Sequence, residues 1–435
     1  MKYDQKKWIL VAALSALVAC GSDDDAPTDA GVIADGGGAR DAAADAGTPG
    51  DAGTDEGVAP DAGAEDPLFL LVGAVFSPDG AFGYIYPTPE LSGDVMVALE
   101  DSLEIPVAAG GGSFAVPDPP TGQLFIGSGE SPIIERYGID AEGTFTLENR
   151  FSLAGLGWAA GGSVVLVSPT KGYTIDGATL TAVEFDPVDM AIVEELPLDG
   201  LDAGEDMLPE TSVRVDGDRI LVHTRYFRDS PLSATETRLA VIDTTDNSIV
   251  YDTQTDCANL LFSVVTETAI YYSPHANQAS FFASELSDNA PCAKRVLRGE
   301  SSFDDTYRLD LNALAGGPSG PLVPGSTTSS YLLVYDDSVL GPIGDGSAFL
   351  PVWRFVEIDL DAGTRIGPVE EFPLTTGAGL GFQVPVDGEL RSYSVVAQFG
   401  EGGVEASTAF DVTDPDNVAE AFETPGFLVS AVRVR

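Results

Sequence analysis

Basic residues are scarce in this chain. Its 435 residues hold 21 Lys and Arg against 69 Asp and Glu, a formal net charge of −48. Beyond Lys2, Lys6 and Lys7 the only lysines are Lys171 and Lys294. A field this negative excludes nucleic acid and anionic lipid surfaces as partners of the folded part, because both repel it. It keeps the chain soluble, and it suits a salty medium that screens self-repulsion. Histidine is limited to His223 and His275, and cysteine to Cys20, Cys257 and Cys292. No Cys/His spacing of a metal site follows from so few, and no serine sits in a Gly-x-Ser-x-Gly context. The abundant acids form pairs everywhere and so carry no information about acid–base chemistry. The expectation is a protein that is not an enzyme.

Long apolar runs are missing too. The longest, Trp8 to Val18, spans eleven residues and follows the basic start Lys2, Lys6 and Lys7. A bilayer span needs roughly 20 apolar residues, so this segment reads as a secretion leader rather than a membrane helix. Leu17-Val18-Ala19-Cys20-Gly21 closes it. Small residues before a cysteine are what a lipoprotein signal peptidase requires, so Cys20 is the expected lipidation site. An ordinary cleaved leader with a chance cysteine is the plainer alternative. Residues 1–19 are then the signal peptide. The expected location is the cell envelope, lipid-anchored to the outer membrane, with Gly21 compatible with that sorting. The body faces either the periplasm or the outside.

Residues 20–66 lack what a core needs. They are mostly Asp, Ala, Gly, Pro and Thr, with almost no large apolar side chain and with Asp-Ala-Gly recurring at Asp29, Asp45, Asp51 and Asp61. Thirteen acids against Arg40 give −12, and such a stretch reads as a disordered, self-repelling tether. With +2 on the leader, the body from Pro67 to Arg435 carries −38 of the total −48. In an oxidising compartment its isolated pair, Cys257 and Cys292, is most simply one disulfide, with two buried thiols as the alternative.

The body repeats itself. A short alternating strand ending in Asp recurs at Asp140, Asp186, Asp243, Asp310, Asp359 and Asp411, at intervals of 46, 57, 67, 49 and 52 residues. Turn formers follow each, because an Asp carboxylate accepts from nearby backbone N–H groups and fixes a hairpin. A period near 50 made of strands and turns predicts an all-β β-propeller. A poorer seventh copy at Val95 to Asp101 brings the count to seven blades, with six as the fallback and two β-sandwiches as the competing fold. The 49 Gly and 29 Pro argue against long helices. Asp243, Asp246 and Asn247, and likewise Asp411, Asp414 and Asp416, offer oxygens to calcium. None has the spacing of a dedicated calcium loop, and no cofactor is otherwise expected.

In a propeller the loops between second and third strands, and between blades, gather on one face. The strand reading places Tyr86 to Ser92, Gly127 to Pro132, Arg225 to Ser230, Ser273 to Gln278 and Asp336 to Ser347 there. Arg214, Arg219, Arg225, Arg228 and Arg238 concentrate five arginines in 25 residues. Arg225-Tyr226-Phe227-Arg228 therefore presents charge and rings for an anionic or aromatic ligand, and His275, in a Ser-Pro-His-Ala-Asn loop, joins them as a candidate and is the better of two poor catalytic candidates. The plainer reading pairs these arginines with acids on neighbouring strands, and gives His223 a structural place within its strand.

Gly127-Ser128-Gly129-Glu130-Ser131-Pro132 with Glu135-Arg136-Tyr137, Ser168-Pro169-Thr170-Lys171-Gly172-Tyr173, and Phe185-Asp186-Pro187 with Met190 resemble a family of propeller-like bacterial lipoproteins encoded beside myxochelin-type siderophore clusters. Phe185 stands where tryptophan is expected. The resemblance covers most of the body and implies an association with iron acquisition, without catalytic residues. Ferric catecholates are anionic, so a body at −38 repels them unless the arginines form a local positive pocket. The expected function is thus a membrane-anchored binding or scaffolding module with another envelope protein as partner. A direct siderophore binder is the alternative, and a metal-dependent propeller hydrolase or lactonase is the third reading.

Overall fold

The computed structural model describes residues 66–435, apart from 78–79, 95–100, 107–112, 118–119, 205–206, 228–235, 258, 326–328, 345, 370–371, 401–402 and 415. Cys20, the leader, the tether up to residue 65, Arg228 and most of the seventh repeat copy lie outside these residues.

Seven antiparallel sheets make the body a seven-bladed β-propeller. Strands are lettered A to D from the axis outward. Blade 1 is Phe427–Arg433, Phe69–Ser77, Gly80–Thr88 and Leu103–Pro106. Blade 2 is Ser113–Ala115, Gln123–Gly127, Ile133–Ile139 and Phe145–Ser152. Blade 3 is Ser163–Ser168, Lys171–Asp176, Thr181–Asp186 and Ala191–Pro197. Blade 4 is Leu208–Asp216, Arg219–Phe227, Thr237–Asp243 and Ile249–Gln254. Blade 5 is Leu260–Val265, Ala269–Pro274, Cys292–Leu297 and Leu309–Asp310. Blade 6 is Ser319–Pro324, Ser329–Tyr335, Trp353–Asp359 and Thr364–Pro368. Blade 7 is Gly381–Val386, Glu389–Gly400, Gly403–Asp411 and Ala419–Pro425, with Gly93–Asp94 added in parallel at its edge.

Burial follows this order. Strand B of blade 6 is buried along its whole length, while strand D of blades 2 and 3 is mostly exposed. Alternate side chains of a strand face opposite ways, so each blade feeds two apolar seams. Val213, Ile220 and Val222 pack with Tyr173 and Ile175 between blades 3 and 4. Leu221, Leu239 and Val241 pack with Ile270 and Tyr272 between blades 4 and 5. The core is thus a set of interblade clusters around the ring.

The Asp reading holds at the level of single bonds. Asp140 accepts from the Glu142 and Thr144 amides, Asp186 from Val188 and Asp189, and Asp243 from Thr245. Asp359 accepts from Ala362 and Asp411 from Thr413. Four of these end strand C, Asp140 directly follows it, and all five fix the turn to strand D. Asp310 does not: it ends strand D of blade 5 and caps the helix Leu311–Ala315 by accepting from the Ala313 amide. Strand C of that blade ends at Leu297, which explains the uneven spacing around it. In blade 1, strand C is Gly80–Thr88 and strand D is Leu103–Pro106, so Val95 to Asp101 falls in sequence between them and does not end a strand C.

The ring closes by a strand exchange the repeat did not reveal. The C-terminal strand Phe427–Arg433 supplies strand A of blade 1, and the N-terminal segment supplies B, C and D. Phe69 pairs with Arg433 and Gly73 with Leu428. Below, the Gly122 amide donates to Val434 O at 2.9 Å, and Arg435 Nη2 donates to Ile139 O at 2.6 Å. Both ends of the body therefore lie on the lower face, with the A–B and C–D turns. The B–C loops and interblade connections form the upper face.

Cys257 and Cys292 form a disulfide with Cα atoms 5.8 Å apart. It ties the blade 4-to-5 crossing to the start of strand C of blade 5. Closing a loop of 35 residues contributes about 3–4 kcal/mol in the chain-entropy account. No helix among the described residues is long and apolar enough to cross a membrane.

Candidate functional site

Arg225, Tyr226 and Phe227 end strand B of blade 4 at the upper face. Strand alternation sends Arg225 and Tyr226 into different seams, so they do not form one pocket. Tyr226 is buried toward blade 3, where its hydroxyl donates to Leu201 O and Arg238 lies 5.7 Å from its ring. Arg225 turns toward blade 5. Its Nε and Nη2 donate to Glu210 Oε2 at 2.9 and 2.6 Å, and Nη1 donates to Asn259 Oδ1 at 2.7 Å. Asn259 Nδ2 in turn donates to Gln278 Oε1 at 2.9 Å, and Gln278 Nε2 donates to Ser287 Oγ and Asn289 O. Arg225 is thus the root of a buried chain that shapes the loop from His275 to Pro291. A fork of donors already engaged this way positions a loop and offers an incoming anion little.

His275 is buried at the start of that loop. Its ring stacks on Phe262 at 5.7 Å, and Nδ1 accepts from the Asn277 amide at 3.0 Å. The placement is structural and unlike an exposed base. His223 faces the same seam and stacks on Tyr272 at 4.7 Å. Burial lowers both imidazoles to about 3, and Arg225 adds to the effect at each, with Arg214 also acting on His223.

These depressed values fix a sign. Above the ordinary histidine range near 6.5 both rings are neutral in the folded and unfolded chain, and their contribution is fully present. Between about 6.5 and 3 the unfolded chain binds protons the folded one refuses, so stability falls as pH falls. The steepest slope is about 1.4 kcal/mol per pH unit for each histidine. Carboxylates stay ionised down to roughly pH 5, so relief of acidic repulsion does not mask the loss there. Melting temperature should therefore drop between pH 6.5 and 5, and His223→Phe should roughly halve the drop. Identical slopes for the two proteins would refute the assignment.

The other arginines are also local. Arg214 Nε donates to Ser263 Oγ at 2.7 Å, and Arg238 pairs with Glu236 at 2.8 Å. The proposed calcium oxygens serve the turns: Asp246 accepts from the Ser248 amide, Asp414 from Asp416, and Asn247 Oδ1 from the Tyr173 hydroxyl. No cluster of three metal-ligating side chains occurs among the described residues.

Of the segments expected on the ligand face, Gly127 to Pro132, Ser273 to Gln278 and Asp336 to Ser347 run from the end of a strand B into an upper B–C connection; Arg225 to Phe227 close strand B of blade 4, and the rest of Arg225 to Ser230 lies outside the described residues. Tyr86 to Ser92 is not on that face. It follows strand C of blade 1 and lies on the lower face, because the C-terminal strand shifts every letter of that blade by one.

Sequence reasoning missed the feature that dominates this face. The B–C connections 275–291 and 336–352 are its longest, and each carries a short helix, Asn277–Ala283 and Asp337–Leu340. The first helix packs on the turn Ser347–Phe349. The interblade segment 369–380 joins them, with Gly377 N donating to Ala348 O at 2.7 Å and Trp353 bridging Thr375. Gly377 lies so close to Ala276 and Trp353 that a side chain there would strike both. Buried Ala276, Ala279, Ala348, Val352, Trp353 and Phe372 anchor the assembly from below. Together these segments make a crown over blades 5 and 6, on which Phe282, Leu286, Val339, Leu340, Leu350 and Leu374 are exposed. The legible signal was loop length together with leucines in a loop.

No family model and no curated protein matches the chain. Among solved structures it is similar to a hypothetical selenium-binding protein from Sulfolobus tokodaii, at 9% identity over 85% of this chain and 93% of that one, with a TM-score of 0.49. It is also similar to a protein from Lactobacillus plantarum, at 9% identity over 86% and 100% of the two chains, TM-score 0.45. Apo AztD from Citrobacter koseri is a third, at 12% identity over 85% and 98%, TM-score 0.38.

Proposed function

We propose that this chain is an exported, lipid-anchored, non-catalytic propeller that binds another protein of the cell envelope through its upper face. The crown carries the reading. Exposed apolar side chains concentrated on well-packed loops are an ordinary mark of a protein-binding surface. The direction of the chain agrees with it. Pro67 enters the body on the lower face, so an anchor at Cys20 would attach opposite the crown and leave the crown open to a partner. The Cys257–Cys292 disulfide suits an oxidising compartment. Direct capture of an anionic siderophore has less support, because Arg225 is engaged by Glu210 and Asn259. A link to iron acquisition then rests on the partner rather than on this chain's own ligand.

Two variants of the full chain in its native envelope test this. Cys20→Ala should move the protein from the membrane to the soluble fraction. A photo-crosslinking residue at Leu286 should give a discrete adduct, and the same residue at Val188, exposed on the lower face, should not. Equal adducts at both positions, or none at Leu286, would sink the binding reading. Membrane retention of Cys20→Ala would sink the anchor.

A further inference from the structure

The chemistry of the crown narrows what it can hold. Among the described residues, its three segments, within 275–291, 336–352 and 369–380, contain Glu285, Asp288, Asp336 and Asp337 and not one Lys or Arg. Glu285, Asp288 and Asp337 are exposed beside the apolar side chains. Arg354, at the start of strand C of blade 6, answers Asp336 alone. Leu286 and Leu340, 57% and 55% exposed, stand on the two loops among these acids. Acids around an apolar centre attract a surface with the opposite arrangement, and they repel both an anionic membrane and a second copy of this body.

We propose that the crown is a docking site for a basic amphipathic segment of another protein, with apolar side chains on one face and Lys or Arg flanking them. The apolar side chains seat on Phe282, Leu286 and Leu340, and the bases face Glu285, Asp288 and Asp337. The mode is that of an amphipathic helix laid on an apolar surface, where spaced anchors supply affinity and rim charges set partner choice. The buried chain from Arg225 to Gln278 and the disulfide at Cys292 hold the blade 5 loop before the partner arrives, which lowers the ordering cost of binding. The inference rests on the binding-module reading above and adds the partner's chemistry.

The test uses the mature chain and a short helical peptide of Leu and Lys at i, i+4 spacing, titrated by fluorescence anisotropy at physiological salt. The same leucine pattern with Glu replacing Lys is the charge control. The doubly substituted crown, Leu286→Ser with Leu340→Ser, should weaken the Lys peptide about tenfold or more, the worth of two lost apolar anchors. Ile192→Ser with Val193→Ser, on the exposed outer strand of blade 3, should leave binding unchanged. The Glu peptide should not bind. Equal binding of the Lys peptide to all three proteins would reduce the effect to general attraction by an acidic body and overturn the site. Binding of the Glu peptide as tight as that of the Lys peptide would overturn the charge chemistry. If the Leu286 crosslink forms and the Lys peptide fails, the partner chemistry is wrong and the binding reading stands. If both fail, both fall.

Discussion

Deleting Gly426 to Arg435 is expected to abolish the cooperative fold. The segment is short, but it supplies the innermost strand of blade 1 straight from the end of blade 7; the other link between these blades is the two-residue pairing of Gly93–Asp94 at the outer edge. Phe427, Leu428, Val429, Ala431, Val432 and Val434 are all buried. They are shared between two seams, one with blade 7 through Leu380, Phe382 and Tyr393, the other with blade 2 through Leu124 and Ile126. Burying each of the larger side chains is worth about 1.5–3 kcal/mol, so their joint loss is on the order of 10 kcal/mol. That matches the whole stability of a typical domain. The deletion also strips the Val434 and Arg435 contacts to blade 2 and bares one edge of Phe69–Ser77. An unpaired edge invites association with other chains. The truncated chain should show no sharp thermal transition by circular dichroism and should elute as oligomers. A monomer melting within a few degrees of the full chain would show that six blades and a fragment suffice.

The same strand shows where sequence reading stops. The turns at Asp140, Asp186, Asp243, Asp359 and Asp411 were legible because their bonds are local: carboxylate and amide are two to four residues apart. Asp310 was misplaced for the same reason. A carboxylate accepting from an amide three residues on looks alike whether it fixes a hairpin or caps a helix. The pairing of Phe69 with Arg433 leaves no local mark, since the partners stand at opposite ends of the body. Missing it moved Tyr86 to Ser92 to the wrong face. At the site, the concentration of arginines was visible, but their partners were not. Glu210 and Asn259 reach Arg225 across a strand pair and an interblade seam, and neither relation is written in spacing along the chain. Read as the opening of a loop, Arg225 and Tyr226 looked able to share a ligand; as strand residues they alternate and cannot share one pocket.

Arg225→Ala decides between the two roles open to that residue. Removing one partner of a buried pair costs about 3–5 kcal/mol, because the other charge stays behind without its counterpart. The side chain of Arg225 is 7% exposed and that of Glu210 is 21%, so water reaches the carboxylate and the lower end, about 3 kcal/mol, applies. For a body of this size that is a fall in melting temperature of roughly 4 °C. Arg225→Lys should recover little of it, since a point ammonium cannot make the forked contact with Glu210 while also reaching Asn259. Hydrogen exchange should rise in 277–291, the loop held through Asn259 and Gln278, and stay unchanged in blades 1 and 2. Glu210→Gln combined with Arg225→Ala should cost less than Arg225→Ala alone, because no uncompensated carboxylate then remains. A stable Arg225→Ala protein with unchanged exchange would mean that the guanidinium is not needed to hold the loop, and would return it to the ligand-binding role. The expected result instead makes Arg225 a support for the crown: its loss should weaken binding at Leu286 by loosening the loop that presents it, while leaving the apolar contacts themselves in place.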